Sequence, residues 1–202
     1  VIGENRLEWE LAYLAIVCGT GVVVPFDKSL PENELRDVIE RSEVEAIFYS
    51  AKYTPILEKI KAEGVGKLKH LISMDLEKHS NGNYSQKELI KTGKELLKDG
   101  NKEFINAKID ENKMAILLFT SGTTSKSKAV MLSQKNIASN VYAMQCVEAI
   151  YSTDTNIAFL PFHHIFGSTC MVVMLAYGVR TVFPDGLRYI KKNLNEYGVS
   201  VF

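Results

Sequence analysis

The chain has 202 residues, and 24 Lys and Arg balance 24 Asp and Glu, so its formal charge is zero. That balance argues against a nucleic-acid-binding protein, which carries a basic excess or stripe. Hydrophobic residues make up 46%, and Gly and Pro number only 13 and 5, which excludes a disordered or collagen-like chain and leaves enough apolar side chain for a core.

Short apolar runs alternate with helical periodicity along the chain. Val1-Ile2 leads to Asn5, a residue suited to cap the helix read from Glu8 to Val17. Gly19-Thr20-Gly21 stops that helix, and the β-branched run Val22-Val23-Val24 reads as a buried strand closed by Pro25. Ser29-Leu30-Pro31-Glu32 has the form of a capping box, followed by the stripe Leu35, Val38, Ile39. Ala46–Tyr49 is the next strand. Thr54-Pro55 opens a helix carried by Ile56, Leu57 and Ile60, and Leu71–Met74 is a strand. Ser85 and Glu88 form a second capping box, with Leu89, Ile90, Leu96 and Leu97 as the buried stripe and Gly100 as the stop.

The second half continues in kind. Met114–Phe119 is an unbroken apolar strand, and Ala129–Leu132 is another. Ser133 caps a helix running to about Glu148. Ile157–Leu160 is a strand, Ile165–Tyr177 an apolar core helix, Thr181–Phe183 a strand, Leu187–Tyr197 a helix and Val199–Phe202 a last strand. Strand–helix alternation with unbroken apolar strands predicts an α/β fold of mostly parallel sheets flanked by helices. The polar stretch Asn101–Asn112 divides possible subdomains 1–108 and 109–202. Both ends read as cut within strands, so the chain is expected to be a piece of a longer protein.

The three cysteines, Cys18, Cys146 and Cys170, are odd in number and form no C-x-x-C, which supports neither a disulfide framework nor a zinc ribbon. Each lies in an apolar stretch and is expected to be a buried free thiol in a reducing, cytoplasmic compartment. No basic and apolar leader opens the chain. The longest apolar stretches, Ala15–Phe26 and Thr169–Val179, fall short of the ~20 residues that span a bilayer.

One segment departs from this composition. From Phe119 to Ala129, six hydroxyl side chains, one Gly and two Lys follow directly on a buried strand. Hydroxyls, exposed N–H groups and ammonium groups are what a polyphosphate requires. The bland alternative is a Ser/Thr-rich turn between two strands. Gly122 and Lys128 have Walker A spacing, but the second Gly is Ser127, the hydroxyl position is Ala129, and a strand follows where a P-loop runs into a helix. Ser125–Lys128 also matches S-x-x-K, and Lys91-Thr92-Gly93 matches K-T-G, as in serine acyl-transferases of the penicillin-binding type. There the chain order is wrong, K-T-G falls in a helical stripe, and S-D-N is missing.

Phe119–Val130 resembles the signature loop of the adenylate-forming superfamily, which includes acyl-CoA synthetases, luciferases and peptide-synthetase adenylation domains. The pattern is (Y/F)-T-S-G-T-T-G-x-P-K-G-V. This chain keeps Thr120, Ser121, Gly122, Thr123, Thr124, Lys128 and Val130, and departs at Ser125 for Gly, Ser127 for Pro and Ala129 for Gly. A glycine tolerates positive φ, so its loss predicts a stiffer or differently shaped loop. Leu160–Gly167 resembles the family's L-P-x-x-H-x-x-G motif. The opening, Gly3-Glu4-Asn5-Arg6 through Trp9 and on to Val24-Pro25-Phe26-Asp27, resembles the start of the family's large N-terminal domain. Within the family the chain looks most like bacterial long-chain fatty acid–CoA ligases.

The resemblance implies an enzyme that activates a carboxylic acid with Mg-ATP to acyl-AMP and passes the acyl group to coenzyme A. It implies that Thr120, Ser121, Gly122, Thr123, Thr124, Ser125 and Lys128 bind the phosphates, in a loop exposed to solvent. Lys128 would supply charge to the departing pyrophosphate, while Lys126 falls at a variable, solvated position. His164 matches the motif histidine beside the acyl carboxylate, and Lys128 and His164 are the catalytic candidates. Phe162, His163, Phe166 and Gly167 would shape the acyl pocket around His164. No metal ligand is found in the chain. The adenine, ribose and magnesium motifs, and the catalytic Lys of the C-terminal domain, are not found either. The 202-residue piece is therefore expected to be inactive alone and to self-associate through exposed apolar surface. A non-catalytic nucleotide- or acyl-binding module of the same fold is the alternative.

Overall fold

The computed structural model describes residues 1–19, 21–120 and 127–202. Helix α1 (Leu7–Val17) and helix α2 (Glu32–Ser42) precede strand β1 (Ala46–Tyr49), and a 3-10 turn at Ala51–Tyr53 runs into α3 (Thr54–Ala62). Then come β2 (His70–Ser73), β3 (Tyr84–Ser85) and α4 (Gln86–Lys98). The second half holds β4 (Met114–Thr120), β5 (Lys128–Ser133), α5 (Gln134–Val147), β6 (Thr155–Ile157), α6 (Ile165–Tyr177), β7 (Arg180–Val182) and α7 (Ile190–Glu196). The predicted α/β class holds.

β1, β2 and β3 form a parallel sheet in that order, and β6 pairs β7 in parallel. β4 and β5 pair antiparallel, with Thr120 opposite Lys128 and Leu118 opposite Val130. This pair departs from the mostly parallel pattern expected, while on its other side the 114–119 run has a parallel neighbour at Val23. Strands joined by so short a connection can only return antiparallel, because a parallel return needs a crossover. The run is nevertheless apolar throughout for a clear reason. Leu117 and Phe119 pack on a first core built from Leu35, Val38, Ile39, Ile47, Leu57 and Leu71. Ile116 and Leu118 belong to a second core with Trp9, Ala12, Tyr13, Ala158, Phe162 and Met171. Side chains alternate along a strand, so β4 covers one core with each face. A third cluster joins Val141 of α5 to Val173 and Met174 of α6.

Several local expectations fail. Val22–Val24 forms a single parallel bridge, Val23 to Ile116, and Val199–Phe202 likewise reduces to a bridge between Val201 and Asn156. Ser29 does not cap α2. Its backbone N–H and hydroxyl both donate to the Asp27 carboxylate, and Pro31 occupies the cap position. The strand read at Ile157–Leu160 is displaced to Thr155–Ile157, and the helix read at Leu187–Tyr197 begins with a 3-10 turn at Leu187–Tyr189. Ser85 does cap α4, accepting from the Glu88 N–H, but the Glu88 carboxylate turns away to the His79 N–H.

The stripe of α4 is not buried. Leu89, Ile90, Leu96 and Leu97 are 37 to 51% exposed, and the buried residue of the helix is Gln86 at its start, its amide donating to the Glu8 carbonyl. The cysteines also depart from expectation. Cys18 caps the C-terminus of α1 and Cys146 lies on the outer face of α5, both exposed, while Cys170 is half-buried. Burial pushes the Cys170 thiol above its ordinary value. Among the described residues no helix is long and apolar enough to cross a membrane.

Candidate active site

The hydroxyl-rich loop hangs on the β4–β5 hairpin. Apolar burial on both faces fixes the β4 register, and the register fixes which residues stand at the mouth. Thr120 and Lys128 are directly opposed there and both exposed. Opposed residues in an antiparallel pair project from the same face. A hydroxyl and an ammonium are thereby set side by side at the entrance. Ser121, Gly122, Thr123, Thr124 and Ser125, the other phosphate-binding candidates, lie outside the described residues, as does Lys126. Just inside the mouth, Ser127 is held from α2 by Arg41.

The second motif, Leu160–Gly167, is folded by two contacts. Asn5 does not cap α1; Arg6 takes that position. The Asn5 amide instead donates to the Ala158 and Leu160 carbonyls at 2.8 and 2.6 Å, and its oxygen accepts from the Phe162 N–H at 3.1 Å. Gly167, in the first turn of α6, lies directly beneath that stretch. A Cβ there would sit 2.8 Å from the Pro161 carbonyl carbon and closer still to its oxygen. Only a residue without a side chain lets the helix approach its own entry loop so closely.

These contacts sort the pocket candidates. Phe162 is buried in the second core, 5.3 Å from the Trp9 ring and 6.3 Å from Phe183, rather than open to a pocket. Phe166 is 59% exposed. His164 is exposed and occupies the N-cap of α6, its Nδ1 accepting from the Phe166 N–H at 3.2 Å, which leaves Nε2 for other work. His163 turns inward, with Nε2 3.4 Å from the Asp27 carboxylate. Burial pushes its imidazole below the ordinary value, Asp27 pulls upward, Lys28 and His164 push down, and the net is downward. The two histidines thus point to different partners.

The hairpin mouth and the histidine pair ride on different elements, yet Ile116 and Leu118 of β4 share the second core with Phe162 and Ala158. Sequence reasoning missed Asn5 as a clamp and Asp27 as the partner of His163. Both fall within opening segments already marked by the resemblance, and that was the available signal. Arg41 gave no signal at all. Among the described residues no three His, Cys, Asp or Glu side chains gather to hold a metal.

The chain is similar to known proteins. The profile of the AMP-binding enzyme family matches residues 1–202. Fatty acyl-CoA synthetase B of Dictyostelium discoideum is 29% identical over 187 residues, which is 88% of this chain and 27% of that protein. ATP-bound MatB from Rhodopseudomonas palustris superposes with a TM-score of 0.73 at 26% identity, over 95% of this chain and 36% of that one. A red-emitting luciferase from Phrixothrix hirtus shares the fold, with a TM-score of 0.84 at 19% identity over 99% of this chain and 39% of that one. The chain therefore spans less than a third of its curated relative, and with a family match across all 202 residues it belongs to the AMP-binding enzymes.

Proposed function

We propose that the protein carrying this chain is an acyl-CoA ligase acting on fatty acids. It joins a carboxylate to the α-phosphorus of Mg-ATP, releasing pyrophosphate, and then lets the coenzyme A thiol displace AMP from the acyl group. The observation that carries the reading is the hairpin mouth, where Thr120 and Lys128 share one face at the two ends of the hydroxyl-rich loop. A relative named as a fatty acyl-CoA synthetase supports the acid class. In this reading Thr120, Ser121, Gly122, Thr123, Thr124 and Ser125 hold the β- and γ-phosphates. Lys128 stabilises the charge that gathers on leaving pyrophosphate. His164 presents its free ring nitrogen at the acyl site, and Phe166 borders it. Magnesium bound to ATP would neutralise part of the charge on the phosphates these residues hold.

The test is ATP–pyrophosphate exchange by the full-length protein, across acids of increasing chain length. Exchange that requires a fatty acid is expected. ATP binding with no exchange for any acid would overturn the ligase reading and leave a binding module. The 202-residue chain alone is expected to be inactive, because holding acid and ATP together supplies ~7–11 kcal/mol of the barrier and a third of the protein cannot hold both. It is also expected to self-associate in a concentration-dependent way, since Met131, Tyr142 and Val147 are each more than two-thirds exposed.

A further inference from the structure

The geometry points to Arg41 as a positioning residue that clamps both stems of the phosphate loop and sets the direction in which Lys128 leaves the hairpin. Arg41 stands in the last turn of α2, outside every motif quoted above. Its Nη1 donates to the Ser127 hydroxyl at 3.1 Å and its Nη2 donates to the Ser127 carbonyl at 2.8 Å. The same Nη1 donates to Asp37, one turn back, at 2.9 Å, which holds the side chain in place. The guanidinium carbon lies 5.1 Å from the centre of the Phe119 ring. Phe119 is on the outgoing strand and Ser127 adjoins the returning one, so a single side chain grips both stems.

The grip uses properties particular to arginine. Its planar fork satisfies two acceptors on one residue while its charge lies over an aromatic ring. A lysine offers a point charge and cannot do both. The consequence reaches Lys128 through the peptide plane. With the Ser127 carbonyl held toward α2, the 127–128 peptide cannot rotate, because the unit is planar. The backbone of Lys128 therefore starts from a fixed direction at the mouth, opposite Thr120. The chain has Ser127 where the family's pattern has Pro, a residue whose ring fixes φ. Here an external clamp supplies rigidity at that point.

The inference rests on the ligase reading for its catalytic consequence, but the clamp can be tested apart from it. Amide hydrogen exchange at Thr120, Lys128 and Ala129 is measured in the full-length protein and in Arg41→Ala and Arg41→Lys, without nucleotide. Both variants are expected to exchange faster at the mouth while the core strands β1 and β2 keep their protection. Unchanged exchange at the mouth would overturn the clamp. The same proteins are assayed for acid-dependent ATP–pyrophosphate exchange and for thioester formation from supplied acyl-adenylate. The first is expected to fall by about 10- to 100-fold in both variants, as a small misplacement of a catalytic group does, and the second to change little. Equal losses in the two half-reactions, or full rescue by Arg41→Lys, would overturn the positioning role. If the unaltered protein shows no exchange with any acid, the ligase reading and the role in adenylation fall together, while the amide data still decide the clamp.

Discussion

Asn5 and Phe162 stand 157 residues apart, and the Phe162 backbone N–H donates to the Asn5 side-chain oxygen at 3.1 Å. The same side chain donates to the carbonyls of Ala158 and Leu160. One short amide therefore ties the opening of the chain to three backbone groups of the loop that leads to the histidines. An amide is needed, because the loop presents two acceptors and one donor, and only Asn offers the complement at that reach.

Asn5→Ala should destabilise the protein by about 2 kcal/mol, the cost of leaving partly buried backbone groups without partners. Asn5→Asp is the sharper test. It keeps the shape and the acceptor for Phe162, but sets a carboxylate against two carbonyl oxygens. Its loss should equal or exceed that of alanine. Chemical denaturation measures both, and an aspartate variant as stable as the parent would remove the clamp.

Two glycines on helices make opposite predictions. Gly167→Ala should cost about 1–3 kcal/mol, because its Cβ would overlap the Pro161 carbonyl and the backbone must move. Gly93, inside α4, meets nothing within 4 Å, so Gly93→Ala should stabilise by up to about 1 kcal/mol through helix propensity. Equal effects in thermal denaturation would show that close packing at Gly167 is not what requires glycine.

What could be read from the sequence was mostly what local chemistry decides. α6 runs from Ile165 to Tyr177 as its apolar run implied, Ser133 caps α5, and Gly100 with positive φ ends α4. What could not be read depends on partners far along the chain. Asn5 has cap chemistry and Ser29 has box spacing, yet each found a stronger partner, the loop at Leu160 and the carboxylate of Asp27. The stripe on α4 is genuine amphipathic periodicity, but periodicity names an apolar face without saying what covers it. Of the site, the order strand, hydroxyl-rich loop, strand was legible, whereas the antiparallel pairing that sets Thr120 opposite Lys128, the inward turn of His163 and the reach of Arg41 are tertiary facts.

His163 gives a pH prediction with a definite sign. Its folded value lies below the ordinary one because burial outweighs Asp27. The unfolded chain therefore binds the proton first, and stability is present above the ordinary histidine value and lost as pH falls through the depressed one. His163→Gln removes that titration. Melting temperatures of the parent and variant, compared from pH 7.5 down to 5, should diverge in favour of the variant as the pH falls. A constant gap, or a parent that gains on acidification, would show that Asp27 wins instead.

Lys128 separates the two half-reactions. It stands opposite Thr120 with its side chain on the same face and exposed to solvent. In adenylation, the bond from the α-phosphorus to the bridging oxygen breaks and negative charge grows on pyrophosphate, where an ammonium at the mouth stabilises it. In thioester formation, pyrophosphate has already left and the charge builds on AMP. Lys128→Ala in the full-length protein should therefore slow adenylation by ~3–4 kcal/mol of transition-state stabilisation, a few hundredfold, and leave thioester formation from supplied acyl-adenylate nearly untouched. Lys128→Arg keeps the charge and should recover part of the loss. Both half-reactions are measured by rapid quench on the same preparations. If alanine slows them equally, Lys128 acts by holding the β4–β5 hairpin together across from Thr120, and the charge at the mouth does no chemistry.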